Sequence, residues 1–308
     1  VYADSNVSYS VIAEGKYLTY QWKKDGVDLT GETNATLHIT DANATLHDGN
    51  YSVVVSNDFG SVSIDNFEIL VAKWIPSNKS DLLLWLDASD ISTISESSNL
   101  VSQWGDKSGN NNHASQNSST YMPQAGFADK MLKFDGQDSL FISNETSFDL
   151  VNFSIFAVIK GGGTIFAKNT TATSTSSQAR RKLHLRHSHF GSGGDNSNTL
   201  IFENTATSHE KIIGFVSSNL SSHLYSINGH LRSSSVTLSN DVFNNALPSV
   251  GAAFSEVAEG LNGSIGEIII FSSTSTELEI EKVEGYLGHK WGLTGNLPAD
   301  HPYKSNAP

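Results

Sequence analysis

The chain has 308 residues, 38% of them hydrophobic, with 25 Gly, 6 Pro, no Cys and a formal net charge of −13. That length allows two or three domains with true cores, and the missing cysteines exclude disulfide scaffolds, thiolate metal sites and cysteine nucleophiles. The acidity argues against a nucleic-acid partner, since the one basic cluster (Arg180, Arg181, Lys182) is too short to replace phosphate counterions, and no apolar run reaches the length of a membrane span.

Val1 reads as the start of a mature or excised fragment. Short alternating runs then follow at Val7 to Val11, Leu18 to Trp22, Thr36 to Ile39, Tyr51 to Val55 and Phe67 to Val71. Turn pairs separate them, among them Asp25-Gly26, Asp48-Gly49 and Phe59-Gly60. Strands at roughly ten-residue spacing predict a small β-sandwich over residues 1–72. The segment YQWKKDG (20–26) puts Trp22 in a strand that ends at a turn. The run His47-Asp48-Gly49-Asn50-Tyr51 stands just before an apolar strand, with Tyr51 and Val53 on one face.

These residues resemble an immunoglobulin-like domain of the bacterial surface-protein kind, with the first strand cut off. The resemblance implies that Trp22 is the core tryptophan and Tyr51 the corner tyrosine. It also implies that Val11 and Val53 stand where such domains usually carry a disulfide. The Asp usually found two residues before the corner Gly is replaced by His47, with Asp48 one place later.

Residues 73–80 (KWIPSNKS) read as a linker, and 81–308 as a second, larger domain. Its strand signals run over Leu82 to Leu86, Phe153 to Ile159, Thr164 to Ala167, Lys182 to Phe190, Thr199 to Phe202, Lys211 to Val216, Leu224 to Ile227 and Ile265 to Phe271. Asn228-Gly229 supplies the positive φ angles of a two-residue hairpin turn. The glycines 161–163 lack a following Lys-Ser/Thr pair and read as another hairpin turn. So many short strands predict a large sandwich or jelly roll.

One helix is expected near the end. Thr274 with Glu277 makes a capping-box pattern, Ile280, Val283, Leu287 and Trp291 recur at helical spacing, and Gly292 stops it. Glu277, Glu279, Glu281 and Glu284 read as its solvated face.

Five segments come in order: LLLWLDASD (82–90), VSQWGDKSGNNNHASQ (101–116), LKFDGQDSLFI (132–142), LNGSIGEIIIF (261–271) and VEGYLGHKWGLTGNLPADHPYKSNAP (283–308). Together they resemble a bacterial laminin-G-like, concanavalin-A-like jelly-roll domain. The fold class expected is therefore all-β: an immunoglobulin-like sandwich plus a concanavalin-A-like jelly roll with one C-terminal helix. The resemblance implies a secreted or cell-surface binding or adhesion module, commonly for glycans and often with calcium. Neighbouring domains or other copies of the chain are the other expected partners.

Retaining glycoside hydrolysis, found on this fold, needs two carboxylates about 5 Å apart. Hydrolases of the fold show a Glu-x-Asp-x-x-Glu-like run, which is missing here, and Glu267 stands alone in an apolar strand. No nucleophile elbow is present either, so the chain reads as non-catalytic, with a glycoside hydrolase as an alternative and an assembly module without small ligand as another. A calcium ion wants six to eight oxygens, for which Asp106 and Asn110 in one loop and Asp135 and Asp138 in another are the expected donors. Sugar recognition asks for an aromatic platform and polar partners. Tyr121, His187, His189, Phe190 and Tyr225 could supply it, with Arg186 as a planar donor. His187 and His189 would share one strand face, with His184 on the other.

Overall fold

A computed structural model of the chain describes residues 1, 6–42, 44–126, 128–144, 146–170, 181–187, 189–192, 199–201, 207–235, 237, 246–252 and 260–308. The chain divides into two compact units, Val1–Ile75 with Asn306–Pro308, and Pro76–Ser305.

In the first unit the strand Val7–Ser10 pairs antiparallel with Thr36–Ile39. A second sheet runs in the order Val27–Asp28, Thr19–Lys24, Gly49–Asn57, Gly60–Ile69. Alternation builds the core between them, because every second side chain of a strand points to one face. Trp22 stands opposite Val53, and both are buried. Phe67 is the hub of the aromatic packing, 5.0 Å from the ring of Tyr9, 5.9 Å from Tyr51 and edge-on to Trp22 at 6.2 Å. Buried donors find partners: Trp22 Nε1 donates to Asn34 O at 2.9 Å and Tyr51 Oη to His47 O at 3.0 Å. His47 therefore serves the corner through its carbonyl, while Asp48 Oδ1 accepts from Val71 N at 2.6 Å. Val53 is fully buried, whereas Val11 is half-buried beside the core.

The last strand of this unit starts at Gly60, seven residues before the apolar run Phe67 to Val71 announces it. The segment 73–80 is not all linker: Pro76 is buried and opens a 3₁₀ turn over Pro76–Asn78. Lys79 pairs with Asp81 and Glu279 at 3.1 and 3.0 Å.

The second unit is a jelly roll whose described strands form one hydrogen-bonded set that closes on itself. Its centre is the strand Phe153–Gly162, flanked by Thr207–Ser218 and Asn262–Phe271. Ile155, Ala157 and Ile159 face the inner core with Leu84, Leu86, Trp104, Phe134, Phe190 and Phe215. Phe156 points to the opposite face and meets Phe271 edge-on at 6.3 Å.

The C-terminal helix spans Glu277–Lys290 and buries Ile280, Val283, Glu284 and Leu287. Its capping box is Thr276 with Glu279, two residues beyond the expected pair, and Gly292 ends it at φ 69°. Glu284 is not on a solvated face. It is 1% exposed, accepts from Ser226 Oγ and lies 3.5 Å from His301 Nε2. Its spacing from Ile280 and Leu287 puts it on the apolar stripe.

The hairpin at Asn228-Gly229 is present between Ser222–Ile227 and His230–Ser234, with φ 52° and 82° at the turn. The expected strand Lys182 to Phe190 is instead two strands, Arg181–Arg186 and His189–Ser192, paired back to back through Leu185 and Phe190. His187 lies in the turn between them, so it does not share a strand face with His189.

Candidate functional site

Three glycine-bearing turns meet at one end of the jelly roll, and glycine is what lets them touch. Gly163, at φ 131°, has no room for a Cβ, which would stand 2.2 Å from Gly260 O. A Cβ on Gly260 would in turn stand 2.0 Å from Gly136 O. The strand Met131–Asp135 joins the same end through the pair Asp135 and Asn262. Gly251 closes the set by accepting from Leu261 N at 2.7 Å.

Half of the expected ligand residues lie on the segments that meet at this rim. Asp135 Oδ1 accepts from Gln137 N at 2.8 Å, and Asp138 Oδ2 accepts from Asp135 N at 2.9 Å. Ser139 N donates to Tyr121 O at 2.9 Å, which sets Tyr121 beside the Asp135–Ser139 turn. Tyr121 is 39% exposed. Across the glycines, Gly163 N donates to His187 Nδ1 at 2.8 Å, and His187 N returns a bond to Gly163 O at 3.1 Å. Lys211 Nζ donates to His187 O at 3.0 Å. Arg186 ends its strand opposite Thr164, next to this turn.

Electrostatics define the chemistry of the rim. Burial, then the charges of Lys211 and Arg186, hold His187 below the usual imidazole range. It is therefore neutral near pH 7, and because Nδ1 accepts from a backbone amide its proton sits on Nε2. Burial, with the like charge of Asp135, pushes the Asp138 carboxyl up to about 6. The segments that meet here thus carry a partly exposed tyrosine, a neutral imidazole, a strand-end arginine and two turn carboxyls, of which Asp138 is 5% exposed. Such groups pair with hydroxyl-rich ligands.

The other expected residues stand elsewhere. Tyr225 pairs with Phe215 and Arg232 in the sheet and packs half-buried on the core. Phe190 is no platform: it is fully buried and stacked on Phe215 at 3.6 Å. The side chain of His189 lies outside the described residues.

Asp106 spends both oxygens on its own loop and on the strand Leu82–Asp87. Oδ1 accepts from Trp85 N and Ser108 N, and Oδ2 from Ser108 Oγ and Asn112 N, all at 2.7–2.9 Å. Asn110 Nδ2 donates to Leu82 O at 2.8 Å and Leu83 O at 3.1 Å. These two residues clamp their loop to the strand Leu82–Asp87, which leaves a poor donor set for a cation. Asp135 and Asp138 are carboxyls of one turn, with Asp138 5% exposed. Among the described residues no group of three or more His, Asp or Glu gathers at metal-binding spacing.

A second polar cluster gathers around Glu267. Glu267 is 0% exposed. Its Oε1 accepts from Trp85 Nε1 at 2.7 Å and Tyr286 Oη at 2.9 Å. Its Oε2 accepts from Trp291 Nε1 and lies against Lys290 Nζ, both at 2.7 Å. Lys290 and Lys107 share Asp87 at 2.7 and 2.8 Å, and Lys107 also reaches Asp90 at 2.8 Å. Burial raises the Glu267 carboxyl, opposed by Lys290, and burial then Glu267 raise the Tyr286 phenol. Burial acts upward on Asp87 too, but Lys290, Lys107 and Ser89 outweigh it and bring that carboxyl below its usual range. The cluster ties the C-terminal helix to the strands Leu82–Asp87 and Asn262–Phe271. The one signal for it was a lone Glu amid apolar residues.

No family model and no curated protein sequence matches the chain. Solved structures resemble it in fold. Trypanosoma rangeli sialidase in complex with sialic acid matches with a TM-score of 0.50 at 10% identity, over 94% of this chain and 54% of that one. The fourth domain of an extracellular arabinanase from Geobacillus stearothermophilus, solved with arabinotriose, matches with a TM-score of 0.44 at 14% identity. That match covers 65% of this chain and 96% of the arabinanase domain. The chain spans about half the length of the sialidase, and identities this low speak to fold alone.

Proposed function

We propose that the chain is a non-catalytic, extracellular glycan-binding module of the bacterial surface type. In this reading an immunoglobulin-like unit accompanies a laminin-G-like jelly roll that carries the ligand. What supports it is that the chain segments bearing Tyr121, Asp135, Asp138, Arg186 and His187 are joined by backbone contacts at one glycine-rich end of the jelly roll. Tyr121 offers the ring face on which a pyranose stacks. His187 Nε2–H and Arg186 donate to sugar oxygens, and Asp135 accepts from hydroxyls.

Calcium is the proposed structural ion, held by Asp135 and Asp138 with carbonyls of their turn. When bound it would neutralise two neighbouring carboxylates and stiffen the turn that carries Tyr121. The non-catalytic reading is supported by the carboxylates best shielded from water. Both oxygens of Glu267 are taken by protein donors, and Glu284 is buried against Ser226 and His301. Neither is presented to a substrate.

A glycan array probed with the full chain, with calcium and with chelator, tests the reading. We expect a restricted set of glycans, lost in Tyr121→Ala and His187→Ala. A flat response in both conditions refutes it, and release of reducing sugar from polysaccharides would restore the hydrolase alternative.

A further inference from the structure

The turns that carry His187 and Gly163 are held together by a reciprocal pair of hydrogen bonds. Gly163 N donates to His187 Nδ1 at 2.8 Å, and His187 N donates to Gly163 O at 3.1 Å. The first bond exists only while the imidazole is neutral, because a protonated ring carries a hydrogen on both nitrogens and has no acceptor left. An imidazolium here would set its Nδ1–H against the N–H of Gly163.

The surroundings oppose the charge as well. Lys211, 3% exposed, puts its ammonium on the carbonyl of His187 at 3.0 Å, and Arg186 precedes His187 in the chain. Burial and these two cations hold the ring below the usual imidazole range. The other described titratable groups on the elements around the turn are engaged or set back. Lys160 and Glu210 pair with each other at 3.1 Å, and His209 is exposed. Lys168, four residues along from Thr164, pairs with Asp149. His184 is buried opposite Gly191, and Asp135 and Asp138 stand on the turn beyond Gly260. The side chain of His189 lies outside the described residues. Gly163 itself rests on Gly260, and Gly260 on Gly136. The bond that protonation breaks is therefore the one that ties the His187 turn to the stack of glycine turns.

We infer that His187 is an acid-opened latch: protonation of its ring parts its turn from Gly163 and loosens the glycine end of the jelly roll, so that a ligand held in neutral medium is released in mild acid. The release rests on the glycan-binding reading above, and the opening of the latch does not. Opening favours uptake of one proton. The ratio of opened to latched chains thus rises up to about tenfold per pH unit below the titration of an exposed ring, at about 6.5.

The Gly163 amide reports the latch without any ligand. Its hydrogen exchange in the full chain would be followed by NMR between pH 7.5 and 5.0, each value referenced to an unstructured amide at the same pH. Protection of Gly163 should fall about tenfold or more over that range. Ile268, paired on both sides with Ala157 and Leu86, should keep its protection. In His187→Asn or His187→Gln a side-chain oxygen can accept the same bond and does not titrate, so Gly163 protection should change less than about twofold. Protection of Gly163 that is unchanged at pH 5.0 in the native chain overturns the inference, and so does an equal fall in the two variants. The release is read on the glycan array at pH 7.5 and 5.5, where signals should drop about tenfold or more in acid. Equal signals at both values, with Gly163 seen to open, overturn the release. An array blank at pH 7.5 counts against the glycan-binding reading, and the latch is then decided by Gly163 alone.

Discussion

Glu267 sits in the strand Asn262–Phe271 with two indole N–H groups, a phenol and an ammonium on its two oxygens. Glu267→Gln removes the ion pair with Lys290 and turns an amide N–H toward other donors. Breaking one partner of a buried pair costs about 3–5 kcal/mol, and a shift of that size in the denaturant midpoint at constant slope is the expected outcome. A variant as stable as the native chain contradicts the holding role. The residue was visible in the sequence only as an anomaly, a charge in an apolar run. Its partners lie up to 182 positions away, and no local pattern could name them.

Asp138 makes a pH-dependent prediction. An unfolded aspartate titrates near 3.9, and the folded one at about 6. Between those values the folded state holds more protons than the unfolded state, so this group's contribution to stability falls as pH rises through the window and stays lower above it. The shift corresponds to roughly 2–3 kcal/mol. Asp138→Asn should therefore gain in melting temperature on the native chain between pH 4 and pH 7. An equal gap at both values contradicts the assignment. Millimolar calcium should recover much of the loss in the native chain at pH 7 and none in the variant, and melts with and without chelator would show it.

At the scale of elements, strand alternation was legible wherever one face is buried and the other wet. That holds for Thr36–Ile39, while the hairpin at Asn228-Gly229 was legible from its turn pair. It failed at His187, where the chain reverses between Leu185 and Phe190. No Gly or Pro marks that reversal. His187 holds it in tertiary contact, through its ring on the amide of Gly163. The capping box slipped by two residues because Thr274 and Thr276 both precede a Glu by three. Thr276→Ala should destabilise the jelly roll by about 1 kcal/mol, and Thr274→Ala should leave the cap intact. Thermal melts of the pair separate the two registers.

The rim shows the same limit. The glycines 161–163 were readable as a turn, but their packing on Gly260 and Gly136 is set by strands distant in sequence. Gly163→Ala would have to displace the backbone at Gly260, at a residue whose φ of 131° already disfavours a side chain. It should lower the melting temperature and weaken ligand binding together, unlike Tyr121→Ala, which should weaken binding alone.

At the scale of the molecule, the all-β architecture with a single C-terminal helix of any length was set by composition and spacing, and no described helix is long and apolar enough to cross a membrane. The net charge of −13 bears on ligand choice: it disfavours polyanions by long-range repulsion, so neutral glycans should bind better than sulfated ones at low salt. The central claim is that the rim of the jelly roll binds glycan. Titration calorimetry of the full chain with the strongest array ligand tests it most directly, in calcium. The account predicts saturable one-to-one binding, weakened about tenfold or more by Tyr121→Ala with the melting temperature unchanged. Binding that survives both Tyr121→Ala and His187→Ala at full affinity would place the ligand elsewhere and contradict it.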